Sequence, residues 1–257
     1  MRLLSAAMTS FLLVTDIDNT LVGDDAALKE LNTLLEQHRQ EHGTKIVYAT
    51  GRSPALYQEI SVEKQLLQPD ALIASVGTEV YFQNSDIPDK QWNEKISQGW
   101  DRELVVSTSA HFADLIPQAD TEQRPFKVSY HLTEPAAVEV LPRLELLLKE
   151  RDLNVKTIYS AGYDLDIVPR NADKGMAVQF VRQVWNIDAT RTVVCGDSGN
   201  DIALFSVGEE RGVIVGNAKS ELRLWYEINP AEYRYLAKAA CAGGILEGLY
   251  YFGFIHN

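Results

Sequence analysis

Phe11-Leu12-Leu13-Val14-Thr15 is a short apolar run without alternation, closed by Asp16-Ile17-Asp18-Asn19-Thr20. Such a run predicts a strand covered on both faces, as in a parallel sheet, and its polar end puts the two acids at the sheet's carboxyl edge. The period then turns helical. Leu28, Leu31, Leu34 and Leu35 recur along 26–42, with Asp24 placed to cap the start and Gly43 to stop it. Lys45-Ile46-Val47-Tyr48-Ala49 predicts a second buried strand ending in Thr50-Gly51-Arg52. Ser53-Pro54 then opens a helix over 54–67, ended by Pro69. A third strand at Ala71-Leu72-Ile73-Ala74 completes an alternation that argues for an α/β, doubly wound parallel sheet.

The rhythm changes near Asn84, where a turn-rich stretch leads into a helix expected over 102–115. Phe126-Lys127-Val128-Ser129-Tyr130-His131-Leu132 alternates strictly, which predicts a half-buried strand with Lys127, Ser129 and His131 on one wet face. A helix over 135–151, in spite of Pro142, and strands over 154–159 and 163–168 turned at Ala161-Gly162 complete an α+β insert on an antiparallel sheet. The core pattern resumes with a helix over 174–185 and the strand Thr192-Val193-Val194-Cys195, which again ends in acid at Gly196-Asp197-Ser198-Gly199-Asn200-Asp201. A strand over 212–215 and helices over 219–226 and 244–250 follow. The expected division is core 1–84, α+β cap 85–169 and core 170–257.

Charge narrows the function classes. A net charge of −12 over 257 residues, with no basic stripe, argues against nucleic acid and favours cations as guests. The first residues lack the length and cleavage site of a signal peptide, and no stretch reaches membrane-spanning length, so the expectation is a cytoplasmic protein with no membrane partner. Met8 is an alternative start to Met1. Cys195 and Cys241 are expected to be unpaired thiols, and Trp92, Trp100, Trp185 and Trp225 packing residues.

In a parallel sheet the ends of separate strands share one rim, so Asp16, Asp18, Thr50, Asp197 and Asp201 are expected to meet, with Lys174 opening a nearby helix. Asp16 and Asp18, on one strand face, repel unless a cation lies between them. Several carboxylates without a histidine cluster suit a hard, oxygen-liganded ion, and Mg²⁺ is the usual one beside phosphate.

These segments, Asp16-Ile17-Asp18-Asn19-Thr20, Thr50-Gly51-Arg52, Lys174-Gly175 and Gly196 through Asp201, resemble in order the four motifs of haloacid dehalogenase superfamily phosphatases. Gly77-Thr78-Glu79-Val80-Tyr81, the alternating strand at 126–132 and Gly162-Tyr163-Asp164-Leu165-Asp166 further resemble the sucrose-phosphate phosphatase family in its compact cyanobacterial form. The resemblance implies a Mg²⁺-dependent phosphatase that hydrolyses sucrose 6-phosphate to sucrose and phosphate. It implies Asp16 as nucleophile, Asp18 as acid and base, Thr50 and Lys174 as phosphoryl ligands, and Asp16, the Asp18 carbonyl, Asp197 and Asp201 as metal ligands. It also marks Gly51, Arg52, Glu79 and Asn200 as substrate-binding positions. Lys127, Ser129, His131, Asp164 and Asp166 carry two readings, sugar contacts or the solvated face of a sheet. Sucrose-phosphate synthase is the partner to expect. The competing functions are a phosphatase of another sugar phosphate, of the mannosyl- or glucosyl-phosphoglycerate type, and a non-catalytic sugar-phosphate-binding module. Crossings near Asn84 and at Pro169-Arg170 are the expected hinges.

Overall fold

A computed structural model describes residues 10–83 and 85–256. The chain begins with β1 (Leu12–Thr15), α1 (Asp25–His42), β2 (Lys45–Ala49), α2 (Pro54–Glu63), β3 (Ala71–Ala74) and β4 (Glu79–Phe82). It continues through α3 (Lys90–Ile96), α4 (Arg102–Ser109), β5 (Ile116–Pro117), β6 (Val128–His131), α5 (Glu134–Glu150), β7 (Val155–Ser160) and β8 (Asp164–Pro169). It closes with α6 (Lys174–Trp185), β9 (Thr192–Gly196), α7 (Ile202–Ser206), β10 (Arg211–Ile214), α8 (Ser220–Ile228), β11 (Arg234–Leu236) and α9 (Cys241–Tyr251).

Among the described residues, seven strands form one sheet in the order β11-β10-β9-β1-β2-β3-β4, parallel except for β4. β1 is central, pairing Leu12 with Lys45 on one side and with Thr192 on the other. The chain winds outward from β1 in both directions, so the gap between β1 and its neighbours is the switch point where open α/β sheets hold their ligands. Period two splits the strand residues between two cores. Leu13 and Tyr48 pack with Leu31, Leu35 and Ile245 on one face, while Leu12, Val14 and Val47 pack with Val178, Phe180 and Leu222 on the other. Covering both faces is why these strands read as unbroken apolar runs.

A second, antiparallel sheet, β5-β6-β8-β7, carries its own core, in which Val128, Tyr130, Leu165 and Ile167 meet Val140, Leu144 and Leu148 of α5. The expected wet face of β6 is closed over Lys127, 1% exposed, and Ser129, fully buried, while His131 stays half-buried at its far end. Alternation signalled two chemically different faces, and the polar one is covered by the loop through Glu122 and Gln123.

Other differences have local causes. α2 stops at Glu63, short of Leu67, because Gln65 turns left-handed at φ +50. α4 stops at Ser109, and Leu115 instead enters the apolar core of the second sheet. The edge strands β4 and β11 and the short α7 carry no periodic signal long enough to read. The expected boundary at Asn84 lies outside the described residues, as does the start before Ser10. By packing, α3 stays with the first sheet, since Trp92 and Ile96 sit in its second apolar cluster. No helix among the described residues is long and apolar enough to cross a membrane.

Candidate active site

Asp16 directly follows β1 and is 5% exposed. Its amide extends the ladder to the Cys195 carbonyl at 3.0 Å, which fixes the direction of its side chain. The next residues form a tight turn in which the amides of Leu21 and Val22 donate to the Ile17 carbonyl and Asn19 is left-handed at φ +58. Opposite, Asp173 caps α6 by accepting from the Met176 amide at 2.7 Å, and this sets Lys174 at the helix's first turn, fully buried. Its ammonium donates to Asp16 Oδ1 and Asp201 Oδ1 at 2.7 Å each and to Asn200 Oδ1 at 3.0 Å.

Two glycines permit this convergence. A Cβ at Gly175 would meet the Ala203 carbonyl oxygen at 2.0 Å, so only glycine lets α6 approach α7. A Cβ at Gly196 would meet the Asp201 carboxylate at 2.6–2.8 Å. With that space free, Asp201 Oδ2 accepts from the amides of Asp197 and Ser198 at 2.9 and 3.1 Å, and the loop after β9 is locked.

Asp16, Asp197 and Asp201 each offer a carboxylate oxygen within 4.8 Å of the others. Lys174 compensates only part of this buried charge. Burial, reinforced by Asp201 and Asp197 and opposed by Lys174, holds the Asp16 carboxyl well above the usual carboxylate range. Burial and then Asp201 push Asp197 up to about 7. Asp197 Oδ1 accepts from the Thr20 hydroxyl at 3.2 Å, while its Oδ2 is buried without a partner. Burial by itself disfavours the Lys174 ammonium, but Asp16 and Asp201 outweigh it and its pKa is raised. Three all-oxygen donors, excess negative charge and an orphaned buried oxygen fit a hard divalent cation.

Asp18 behaves differently from the expected pair of repelling acids. β1 ends at Thr15, so the period-two rule does not reach Asp18, and its carboxylate takes Arg52 as a separate cation. The Arg52 guanidinium donates to both Asp18 oxygens at 2.8 Å. Thr50, after β2, is fully buried, and its hydroxyl accepts from the Arg52 amide at 3.1 Å. The structure thus brings Asp16, Asp197, Asp201 and Lys174 together, while Asp18 and Thr50 stand outside the three-carboxylate cluster and are tied to Arg52.

Above the rim lies a cleft of about 410 Å³ lined by Asp16, Asp18, Gly51, Arg52, Asp197 and Asn200 from the first sheet's side. From the second sheet come Lys127, Asp164 and Asp166. β6 and β8 pair Ser129 with Asp166 and His131 with Asp164, which brings the two polar rows together. The Ser129 hydroxyl donates to Asp166 at 2.6 Å, and His131 Nδ1 lies 3.2 Å from Asp164. His131 itself stacks on Tyr163 at 4.6 Å. Glu79 does not line the cleft; it is 3% exposed and its Oε1 accepts from Arg124 Nε at 2.9 Å. Gln118, Glu122, Ser160 and Lys219 also line the cleft; sequence reasoning passed over the first three, which lie in loops or at a strand's end, and read Lys219 only as a helix start.

The two-sheet architecture and the acidic rim define the class: this is the fold of haloacid dehalogenase-like hydrolases of known structure. Residues 9–253 match the model of the sucrose-6F-phosphate phosphohydrolase family, and the chain belongs to that family. The sucrose-phosphatase of Synechocystis sp. PCC6803, solved in complex with sucrose and phosphate, shares 38% identity at a TM-score of 0.91, covering 97% of this chain and all of that one. Probable sucrose-phosphatase 2 of Arabidopsis thaliana is 41% identical over 94% of this chain and 59% of its own length. The chain thus spans about three fifths of the plant relatives it matches. Mannosylfructose-phosphate phosphatase of Agrobacterium fabrum is 31% identical, over 94% of this chain and 96% of that protein.

Proposed function

We propose that the chain is a Mg²⁺-dependent phosphatase that hydrolyses sucrose 6-phosphate through an aspartyl phosphate. The observation that carries this reading is Lys174 bridging Asp16 and Asp201 at 2.7 Å beneath a cleft whose other wall is polar. Asp16 attacks phosphorus in line and the bond to the sugar oxygen breaks, with Asp18 giving that oxygen its proton. Asp18 then takes a proton from water as the water attacks the phosphorus of the acyl phosphate, restoring Asp16 and releasing phosphate. Lys174 and Thr50 hold the phosphoryl oxygens, joined by Gly51, Arg52 and Asn200. Asp16, Asp197, Asp201 and the Asp18 carbonyl would hold Mg²⁺, which when bound neutralises phosphoryl charge and orients the group for in-line attack.

On this reading the second sheet is a cap whose Lys127, Ser129, His131, Asp164 and Asp166 grip the sugar, directly or through one another. Glu79 acts one step back, by fastening Arg124. Because α3 packs with the first sheet, the moving part begins after Ile96 and ends near Pro169. A cytoplasmic site of action beside sucrose-phosphate synthase, which makes the substrate, belongs to the same proposal.

The deciding experiment is phosphate release from a panel of sugar phosphates with Mg²⁺ and with EDTA. Sucrose 6-phosphate is expected to lead, with turnover abolished by EDTA and by Asp16→Ala. Better turnover of a mannosyl- or glucosyl-phosphoglycerate would replace the substrate, and no turnover of any member would favour a binding module.

A further inference from the structure

Among the described residues, three cationic side chains line the cleft, and two of them are committed. Arg52 holds both oxygens of Asp18 at 2.8 Å, and Lys127 Nζ lies 3.4 Å from Glu122 and from Asp166. Beneath them, Lys174 is divided between Asp16 and Asp201. Lys219 is the exception: it is exposed, and its ammonium forms no ion pair among the described residues. Its backbone, by contrast, is fixed. The Lys219 amide donates to the Asp197 carbonyl at 2.7 Å, Asn217 Nδ2 donates to the Asn19 carbonyl at 2.7 Å, and Arg223 Nε donates to the Ala218 carbonyl at 2.9 Å. The free ammonium thus stands on a base tied to both acid-bearing loops, that of Asp18 and that of Asp197.

Lysine is also the wrong residue for the local structure. Lys219 is the N-cap of the nine-residue α8, where Ser, Thr, Asp or Asn would accept from a free helix amide. It makes no cap bond, and it puts positive charge at the positive end of the helix dipole. A local rule broken at the edge of a cleft signals a side chain with a task outside its helix. In a chain of net charge −12, whose cleft is lined by six acids, a phosphoryl dianion is repelled on approach, and an uncommitted cation offsets that repulsion. We infer that Lys219 is a substrate-capture residue, the unpaired ammonium that meets the phosphoryl dianion as it enters the cleft. This rests on the phosphatase reading above and deepens it, adding a binding group to the phosphoryl ligands already assigned. Lys174, bonded to Asp16, serves the transfer itself, so Lys219 contributes to binding more than to turnover.

The test is Lys219→Asn, which supplies an ordinary cap and removes the charge. At saturating Mg²⁺, the dissociation constant of inorganic phosphate, read by titration calorimetry, and KM for sucrose 6-phosphate are expected to rise together by about fivefold, while kcat moves less than KM. The melting temperature is expected to rise, so that binding and stability move in opposite directions. Added salt should raise KM of the unmutated protein more steeply than that of Lys219→Asn, and Lys219→Arg should keep the phosphate affinity. A Lys219 that only offsets the metal-binding acids would give a Lys219→Asn protein with tighter Mg²⁺ and an unmoved phosphate constant, and that result overturns the inference. A fall in kcat together with melting temperature, as a merely structural role would give, overturns it as well. The phosphate titration needs no turnover, so it stands apart from phosphate release by the unmutated protein, which judges the phosphatase reading separately.

Discussion

Arg124 clasps Glu79 across the two sheets, Nε to Oε1 at 2.9 Å, with the Glu79 side chain only 4% exposed. The Tyr81 hydroxyl donates to the same carboxylate at 2.9 Å, so this acid is committed to holding the second sheet down over the first. Arg124→Ala leaves a buried carboxylate short of its cation. A loss of about 1–3 kcal/mol in stability is expected, together with a higher KM. Thermal unfolding and steady-state kinetics read both effects, and an unchanged KM would remove the clasp from the working cycle.

Lys174→Ala strips the ammonium from between two buried carboxylates. Breaking a buried pair in this way costs about 3–5 kcal/mol, and loss of one aligned donor to a developing charge costs about 10²–10³ in kcat. Denaturant titration and phosphate-release assays together check this. A Lys174→Ala protein with near-normal turnover would show that the phosphoryl charge is met elsewhere.

Metal removal should make stability fall as pH rises. Asp197 has a folded pKa of about 7, above its ordinary value of 3.8, so the folded chain holds this proton more tightly than the unfolded chain. The stability this supplies is fully present below about pH 4 and lost as pH climbs through about 7. A divalent cation takes the proton's place, so melting temperatures in EDTA should drop between about pH 4 and about pH 7, while those in Mg²⁺ stay level. Asp197→Asn should flatten the EDTA curve.

Gly175→Ala pushes a methyl group into the Ala203 carbonyl, which it would meet at 2.0 Å. The helices α6 and α7 must part, at a cost of about 1–3 kcal/mol for overpacking. Because Lys174 precedes this glycine, activity should fall more than stability does. Equal falls, measured by kinetics and melting, would place the damage in packing alone.

Much of the rim was legible because strand ends announce themselves: Leu12–Thr15 and Thr192–Gly196 each run apolar and stop in acid. The distribution of partners was not legible. Whether Asp18 answers to Asp16 or to Arg52 depends on how the chain turns after Thr15, and the turn at Asn19 is a backbone property that periodicity does not carry. Lys127 looked solvated because it alternates with Val128, yet its burial comes from the irregular loop through Glu122, where no pattern exists to read. β4 was hidden by its shortness and by the charge at Glu79, whose partner Arg124 is distant in sequence.

Two nearby indoles end up in different bodies of the molecule. Trp92, whose Nε1–H donates to the Gly77 carbonyl at 3.1 Å, is packed beside Phe180 against the large sheet. Trp100 donates to the Pro125 carbonyl at 2.8 Å, in the smaller unit. If the second sheet moves as the proposed cap, the two indoles serve as an optical reference and an optical probe on either side of the proposed joint. Emission from a variant retaining Trp100 alone should respond when sugar phosphate draws the halves together, while one retaining Trp92 alone stays dark to the motion.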